Sequence, residues 1–154
     1  MNYWLLKTEP DTFGLDQLAA APRRTAPWDG VRNYQARNYL RDQLQRGDLA
    51  FIYYSSCAQP GIAGIASIVR GGYADRSAFN RRDPHFDPQS DPAKPRWFAV
   101  DVRLQRPLRR IITLTQLRAH AADELRDMAL LRRGNRLSVT PVTATQWQFI
   151  LTLE

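Results

Sequence analysis

Apolar and polar positions along the chain follow two periods, and the shorter one predicts strands. Two continuous apolar runs are separated by a turn that contains Pro60 and Gly61, an arrangement typical of a hairpin or meander. A later run alternates between two faces, as a half-buried strand does. The predicted strands are Asn2–Lys7, Asp48–Ser55, Ile62–Val69, Arg96–Gln105 and Arg136–Thr140.

Helical spacing marks the other regular segments. Ala36, Tyr39, Leu40 and Leu44 lie on one face of a helix that ends before Gly47. Two Thr-x-x-Gln sequences have the capping-box pattern of a helix start. The predicted helices are Leu15–Ala21, Gln35–Gln45, Thr113 to about His120, a second one around Asp123–Leu131, and a C-terminal helix from Thr143 with Trp147, Ile150 and Leu151 on one face.

Two segments lack either period and are predicted as loops. Arg23–Tyr34 is loop-like and carries Trp28, whereas Tyr73–Pro95 is long and contains Asp-Pro three times. Because unstructured loops of more than about 12–15 residues are usually functional or mobile, we expect the Asp83–Pro95 part to form a rim or lid. Strands and helices do not alternate strictly, so the pattern predicts an α+β fold in one domain over residues 1–154.

The charge balance makes this otherwise ordinary domain a candidate for nucleic-acid binding. The chain has 22 basic and 15 acidic residues and a sequence pI of about 10.2, and every basic residue except Lys7 and Lys94 is arginine. Arginine matches phosphates and base edges with a planar fork and stacks on aromatic rings. A high-GC genome and a generic soluble surface would also give this composition, so charge alone leaves both interpretations open.

Other features of the sequence argue against a disulfide-bonded, secreted, membrane-spanning or cofactor-binding protein. One cysteine, Cys57, allows no internal disulfide, and no segment has the pattern of a secretory signal. The apolar runs fall short of the roughly 20 residues that a membrane span requires. We therefore expect a cytoplasmic protein without a membrane-bound part. No phosphate-loop or dinucleotide pattern is present, so no cofactor is expected.

Catalytic and metal-binding alternatives have weak candidates. A nucleophile from Ser55, Ser56 or Cys57 would need a base, and the only histidines are His85 and His120. Carboxylates of the Asp-Pro loop, Asp83, Asp87 and Asp91, could be drawn together with His85 as a metal site. Since Asp before Pro is also a common turn former, we favour the turn interpretation and predict neither a catalytic nor a metal site.

Aromatic residues interleaved with arginine are the remaining signal. Trp28 lies close to Arg32, Asn33 and Arg37 in the chain, Tyr54 and Ser55 end a strand, and Trp97 lies beside Arg96. Base–aromatic stacking, with a polar group reading the base edge, uses these residue types. The alternative is that the rings form the core of a small barrel. We expect the core role for Tyr3, Trp4 and Trp147, and the pocket role for Trp28 and Trp97.

The chain resembles the EVE domain family along its whole length. The segments that carry this resemblance are Tyr3–Pro10, Trp28–Asn38, Pro60–Ala66, Asp87–Pro92, Pro95–Val102 and Leu130–Val139. The resemblance implies a PUA-like fold, a small mixed β-barrel with flanking short helices, related to YTH and ASCH domains. It also implies a non-enzymatic reader that holds a modified base of DNA or RNA, a modified cytosine in particular, in an aromatic pocket.

The resemblance also assigns expected roles to residues. Trp28 and Trp97 would be cage walls, with Tyr54 beside them and Asn33 and Ser55 as edge-reading groups. Lys7, Arg32, Arg37 and Arg96 would face phosphate. The sequence departs from the family in having Ser56 where Asn is expected and Thr8 where Ser is common. An enzyme acting on a nucleotide or other small molecule in the same pocket, as some ASCH relatives suggest, is the alternative.

Overall fold

The computed structural model describes residues 1–154 as one mixed sheet with short helices. The strands are β1 (Tyr3–Thr8), β2 (Thr25–Trp28), β3 (Leu49–Tyr54), β4 (Gly61–Ala74), β5 (Phe98–Thr113) and β6 (Val139–Val142). The helices are α1 (Leu15–Ala20), α2 (Tyr34–Asp42), α3 (Leu114–Arg118) and α4 (Ala144–Leu151). Short 3₁₀ turns span Pro22–Arg24, Arg76–Phe79 and Ala129–Leu131.

The sheet has the strand order β2-β5-β4-β3-β1-β6. Only the β1–β3 pair is parallel, and the other neighbours are antiparallel. The register between β4 and β5 shifts at four places, which bends and twists long strands. The predicted α+β class, with a small mixed sheet and short helices, is confirmed.

Apolar side chains form two cores because successive strand residues point to opposite faces. Trp4 and Leu6 of β1 belong to the first cluster, against α1 and α2, whereas Leu5 belongs to the second, against α3 and α4. The core role predicted for Trp4 and Trp147 is confirmed, since they are 2% and 3% exposed. The indole N–H of Trp4 donates to Oδ2 of buried Asp48 at 2.9 Å.

The sequence predictions failed at two elements. The segment predicted as a loop before Tyr34 contains β2, so Trp28 ends a strand and does not lie in a loop. No helix forms around Asp123–Leu131, where turns lead into one short 3₁₀ turn. The strand predicted at Arg136–Thr140 forms later, as β6, and both β4 and β5 extend well beyond their predicted ends. No helix is long and apolar enough to cross a membrane.

Candidate functional site

The connection from β2 to α2 carries several of the predicted site residues. Asn33 is the N-cap of α2, and its Oδ1 accepts the backbone N–H of Ala36 at 3.0 Å. Gly30 has φ +76°, and a Cβ there would lie 2.7 Å from the His85 ring. The loop around His85 therefore rests directly on this connection, which fixes one side of the predicted rim.

Arg32 uses its whole guanidinium group to hold that loop. Nε and Nη2 donate to the backbone oxygen of His85 at 3.1 and 2.6 Å. Nη1 donates to the oxygen of Val31 and to Oδ2 of Asp75, and Nη2 also donates to Oγ of Ser77. A guanidinium has five N–H donors, and this set engages all of them. The expected phosphate contact of Arg32 therefore does not fit the structure.

Asp75 is the buried acceptor at the centre of this arrangement. Its side chain is completely buried, and it accepts hydrogen bonds from Arg32, from the Gly30 N–H and from the Ser77 N–H and hydroxyl. Burial alone would raise the pKa of Asp75, but the hydrogen bonds from Ser77, Arg32 and Gly30 hold it below its usual value. Asp75 is thus a charged structural anchor.

Trp97 is covered rather than open. Its indole N–H donates to Oδ2 of Asp87 at 2.7 Å, and only 6% of the residue is exposed. The Tyr34 ring stacks on it with a centroid distance of 4.9 Å, and Cζ of Arg32 lies 5.3 Å from its centroid. A base could stack on Trp97 only after one of these groups moved. The structure thus differs from the expectation that Trp97 is an open cage wall.

Tyr34 is the aromatic residue that sequence reasoning missed. It is 53% exposed, and Cζ of Arg37 lies 5.0 Å from its ring centroid. Arg37 donates to the backbone oxygen of Arg96 at 2.6 Å, and Arg96 reaches Oδ2 of Asp87 at 3.5 Å. We call Arg32, Tyr34, Arg37, Arg96 and Trp97 the stacked cluster. The signal available in the sequence was an aromatic residue directly after Asn33, a residue type favoured as a helix N-cap.

Trp28 lies apart from the stacked cluster, in the first core. It is 6% exposed, and its aromatic contact is with Phe13, edge to face at 5.9 Å and 84°. Phe13 is half-buried on the turn between β1 and α1, where the Thr8 hydroxyl donates to its backbone oxygen at 2.7 Å. The β1–α1 turn therefore contributes one of the side chains that pack against the Trp28 ring.

The remaining predicted residues lie at the ends of β1 and β3. The Tyr54 hydroxyl accepts the Leu15 N–H at 2.9 Å, and the Ser55 N–H donates to the Thr8 oxygen at 2.9 Å. Lys7 lies on the other face of the sheet, with Nζ 5.9 Å from the Tyr53 centroid, and burial lowers its pKa. The predicted residues thus divide between the stacked cluster and the strand ends.

Two substantial cavities lie outside both the stacked cluster and the residues at the ends of β1 and β3. The larger, about 610 Å³, is bounded by α2, β6, the start of α4 and the segment before β6. The smaller, about 260 Å³, is lined by residues of β2, β4 and β5 and of the segments that directly follow β2 and β4: Pro27, Asp29, Arg70, Tyr73, Asp75, Arg76, Ala99 and Asp101. None of the residues predicted for the site lines either cavity.

The catalytic and metal candidates have simple partners. His85 Nδ1 lies 3.3 Å from Asp83, and His120 Nδ1 lies 3.3 Å from Glu124. Neither histidine hydrogen-bonds a serine or Cys57. No group of three or more His, Cys, Asp and Glu side chains is arranged to hold a metal ion.

The fold and this surface define a small α+β domain whose arginines and aromatic rings stack beside one edge of the sheet. The EVE domain family profile matches residues 2–153, and the chain belongs to that family. Thymocyte nuclear protein 1 of Mus musculus is 45% identical over 168 residues, covering 99% of this chain and 74% of the mouse protein.

Solved structures agree over almost the whole chain. Human THYN1 in complex with 5-methylcytosine-containing DNA superimposes with a TM-score of 0.93 at 41% identity, covering 99% of this chain and 97% of the human one. A Pseudomonas putida protein gives a TM-score of 0.92 at 45% identity, with 98% of both chains covered. The resemblance inferred from the sequence is confirmed.

Proposed function

We propose that this chain is a non-enzymatic reader domain that binds DNA and holds a modified cytosine. The observation that carries the proposal is the likeness, over nearly the full length of both chains, to human THYN1 in complex with 5-methylcytosine-containing DNA. At 41% identity and a TM-score of 0.93, the two share one fold throughout, so a common ligand class is the simplest inference. The same structure favours DNA over RNA.

The surface chemistry supports a nucleic-acid ligand. A net charge of +7 favours a polyanion, and arginine dominates the basic residues. Within the stacked cluster, Tyr34 offers an exposed ring, and Arg37 and Arg96 are partly exposed beside it. We assign the stacked cluster to the DNA strand that flanks the modified base, with Arg37 and Arg96 close to phosphate and Tyr34 under a neighbouring base.

We place the modified base at Trp28. A base that stacks on this ring replaces the edge contact of Phe13, whose side chain is on a turn rather than on a strand. Tyr54 and Ser55 end β3 beside that turn, and Asn33 begins α2 just after Trp28, so polar groups are available for the base edge. Lys7 lies on the other face of the sheet, so it would contact phosphate only at the ends of β1 and β3.

The proposal that this chain is not an enzyme rests on the positions of its possible catalytic groups. An enzyme needs a base positioned on a nucleophile or on a paired acid. The side chains of the two histidines instead lie 3.3 Å from the carboxylates of Asp83 and Glu124, and neither has a hydrogen bond to Ser55 or Cys57.

The proposal is tested by fluorescence anisotropy with oligonucleotides that differ at one position: cytosine, 5-methylcytosine or 5-hydroxymethylcytosine. A pocket that accommodates one extra methyl group discriminates by roughly 10–200-fold, so we expect at least about tenfold tighter binding of one modified strand. Mass spectrometry of each oligonucleotide after incubation should show no change. Equal affinities would refute the reader function, and a changed mass would establish the enzyme alternative.

A further inference from the structure

The smaller cavity, about 260 Å³, has an unusual balance of charge. It lies on the face of the sheet opposite Trp28, because Pro27 and Asp29 flank Trp28 in the chain and both line it. Three acidic residues, Asp29, Asp75 and Asp101, and two arginines, Arg70 and Arg76, line it.

Most of these charged groups have hydrogen-bonding capacity to spare. No other residue donates to the carboxylate of Asp29, and neither Arg70 nor Arg76 has an ion-pair or hydrogen-bond partner for its side chain. Asp29 is one of the residues that line the cavity, and it is exposed overall. Partial burial there raises its pKa, and the Asp75 and Asp83 carboxylates add to this effect. An unpaired carboxyl group of this kind gains from a ligand that donates hydrogen bonds.

One wall of the cavity is a fixed flat surface. The Tyr73 hydroxyl donates to Oδ1 of Asp101 at 2.5 Å, and the Arg70 guanidinium lies over the Tyr73 ring, 4.0 Å from its centroid. Burial and the Asp101 carboxylate raise the pKa of Tyr73, so its hydroxyl stays protonated and keeps the ring in place. The cavity is thus matched to a flat ligand with both acceptor and donor edges.

We propose that this cavity binds an unpaired guanine base of the same DNA strand, with Arg70 donating to O6 and N7 and Asp29 accepting from N1–H and N2–H. Guanine is the base that offers an arginine two acceptors on one edge and a carboxylate two donors on the next. Cytosine presents a single amino donor group to a carboxylate, and adenine offers no acceptor pair to an arginine in this way. The carboxylate takes the Watson–Crick edge, so the guanine is unpaired when bound.

This inference rests on the proposed function for the identity of the strand, and it extends the site around the end of β2. Trp28 faces one side of β2 while its neighbours Pro27 and Asp29 face the other. Because β2 is an edge strand of the sheet, a DNA strand with its modified cytosine at Trp28 can pass around that edge and place an adjacent nucleotide at the cavity.

Base analogues test the two contacts separately. Anisotropy is measured with single-stranded 5-methylcytosine oligonucleotides whose neighbouring purine is guanine, inosine, 7-deazaguanine or adenine. Inosine lacks the N2 amino group and 7-deazaguanine lacks N7, so each should bind roughly 5- to 100-fold more weakly than guanine. Free guanosine monophosphate at equal concentration should not displace the strand; strong displacement without a guanine preference in the strand would assign the cavity to a free nucleotide and overturn the proposal.

Protein variants assign each loss to a residue. Asp29→Asn should abolish the guanine-over-inosine preference, and Arg70→Gln should abolish the guanine-over-7-deazaguanine preference. Arg103→Gln removes the same charge from an exposed β5 position outside the cavity and should leave both ratios unchanged. If the wild-type protein binds the guanine, inosine and 7-deazaguanine strands equally but still prefers the methylated strand, the guanine site alone is refuted. Loss of methylation preference with the ratios intact would refute the modified-cytosine function alone.

Discussion

Nη1 of Arg32 lies 2.9 Å from Oδ2 of Asp75, a carboxylate that is completely buried. This ion pair joins the β2–α2 connection to the end of β4, 43 residues further along the chain. Because Arg32 also binds the His85 backbone, one side chain holds together the segments that frame the stacked cluster. Arg32 is therefore a positioning residue of the proposed DNA surface.

Loss of Arg32 should destabilise the fold. Arg32→Gln leaves the buried Asp75 charge without its cation, which costs on the order of 3 kcal/mol and lowers Tm by roughly 6–12 °C for a domain of this size. Thermal melts by circular dichroism measure it. Arg41→Gln is the matched control, since Arg41 pairs with its exposed neighbour Asp42 and should leave Tm unchanged. Equal melting of both variants would contradict the anchoring role.

Stability should fall in acid partly through Glu154. The Arg106 hydrogen bond, with the Arg109 N–H, lowers the pKa of Glu154 from 4.5 to about 2. A depressed folded-state pKa contributes stability above the unfolded value that is lost as pH falls through the folded one. Wild-type Tm should thus drop more between about pH 4.5 and pH 2 than that of Glu154→Gln. The variant should be less stable than the wild type at pH 7 and about equally stable near pH 2. Parallel curves of Tm against pH for the two proteins would show that Glu154 does not cause the loss of stability in acid.

The order of the loop before β5 should depend strongly on the hydrogen bond from Trp97 to Asp87. Asp87→Ala removes the acceptor of the indole N–H and should increase tryptic cleavage after the exposed residues Arg81 and Arg82 severalfold. Asp91→Ala is the control in the same loop, since the carboxylate of Asp91 accepts only the Ala93 N–H. If both variants were cleaved at the same rate, the Trp97 contact would not be what orders the loop.

Tyr34 should contribute to binding without contributing to modification preference. Replacing it by Ala removes a base-stacking ring, worth about 1–3 kcal/mol of affinity for modified and unmodified strands alike. Tyr34→Phe keeps the ring and should retain affinity. Anisotropy titrations of both variants measure the effect, with melting curves to show that they fold. A Tyr34→Ala variant with wild-type affinity would remove the stacking role.

Local signals in the sequence were sufficient for most of the fold. The caps at Thr113 and Thr143 form as their Thr-x-x-Gln pattern predicts, each hydroxyl accepting the N–H three residues on. β2 was missed because Pro27 lowers strand propensity, although an edge strand tolerates it. The Asp123–Leu131 segment buries Leu125 and Met128 through turns, so helical spacing alone was misleading.

The candidate site was less predictable because it depends on distant contacts. Composition grouped Trp28 with Arg32, Asn33 and Arg37, and Trp97 with Arg96, whereas the stacked cluster brings Trp97 together with Arg32, Arg37 and Arg96. It could not reveal that Asp75, far along the chain, engages Arg32, or that Phe13 covers Trp28. The smaller cavity was missed because its lining residues come from three strands and from the segments after two of them, and the sequence does not specify how those strands pair.

The reader function is tested most directly by the ratio of dissociation constants for unmodified and 5-methylcytosine strands across a salt series. Both affinities should fall with salt, because phosphate contacts release counterions from either strand. The ratio should stay constant at about tenfold or more, because the methyl contact at Trp28 is apolar and unscreened. A ratio of one at every salt concentration would contradict the account, and so would a preference that disappears as salt rises.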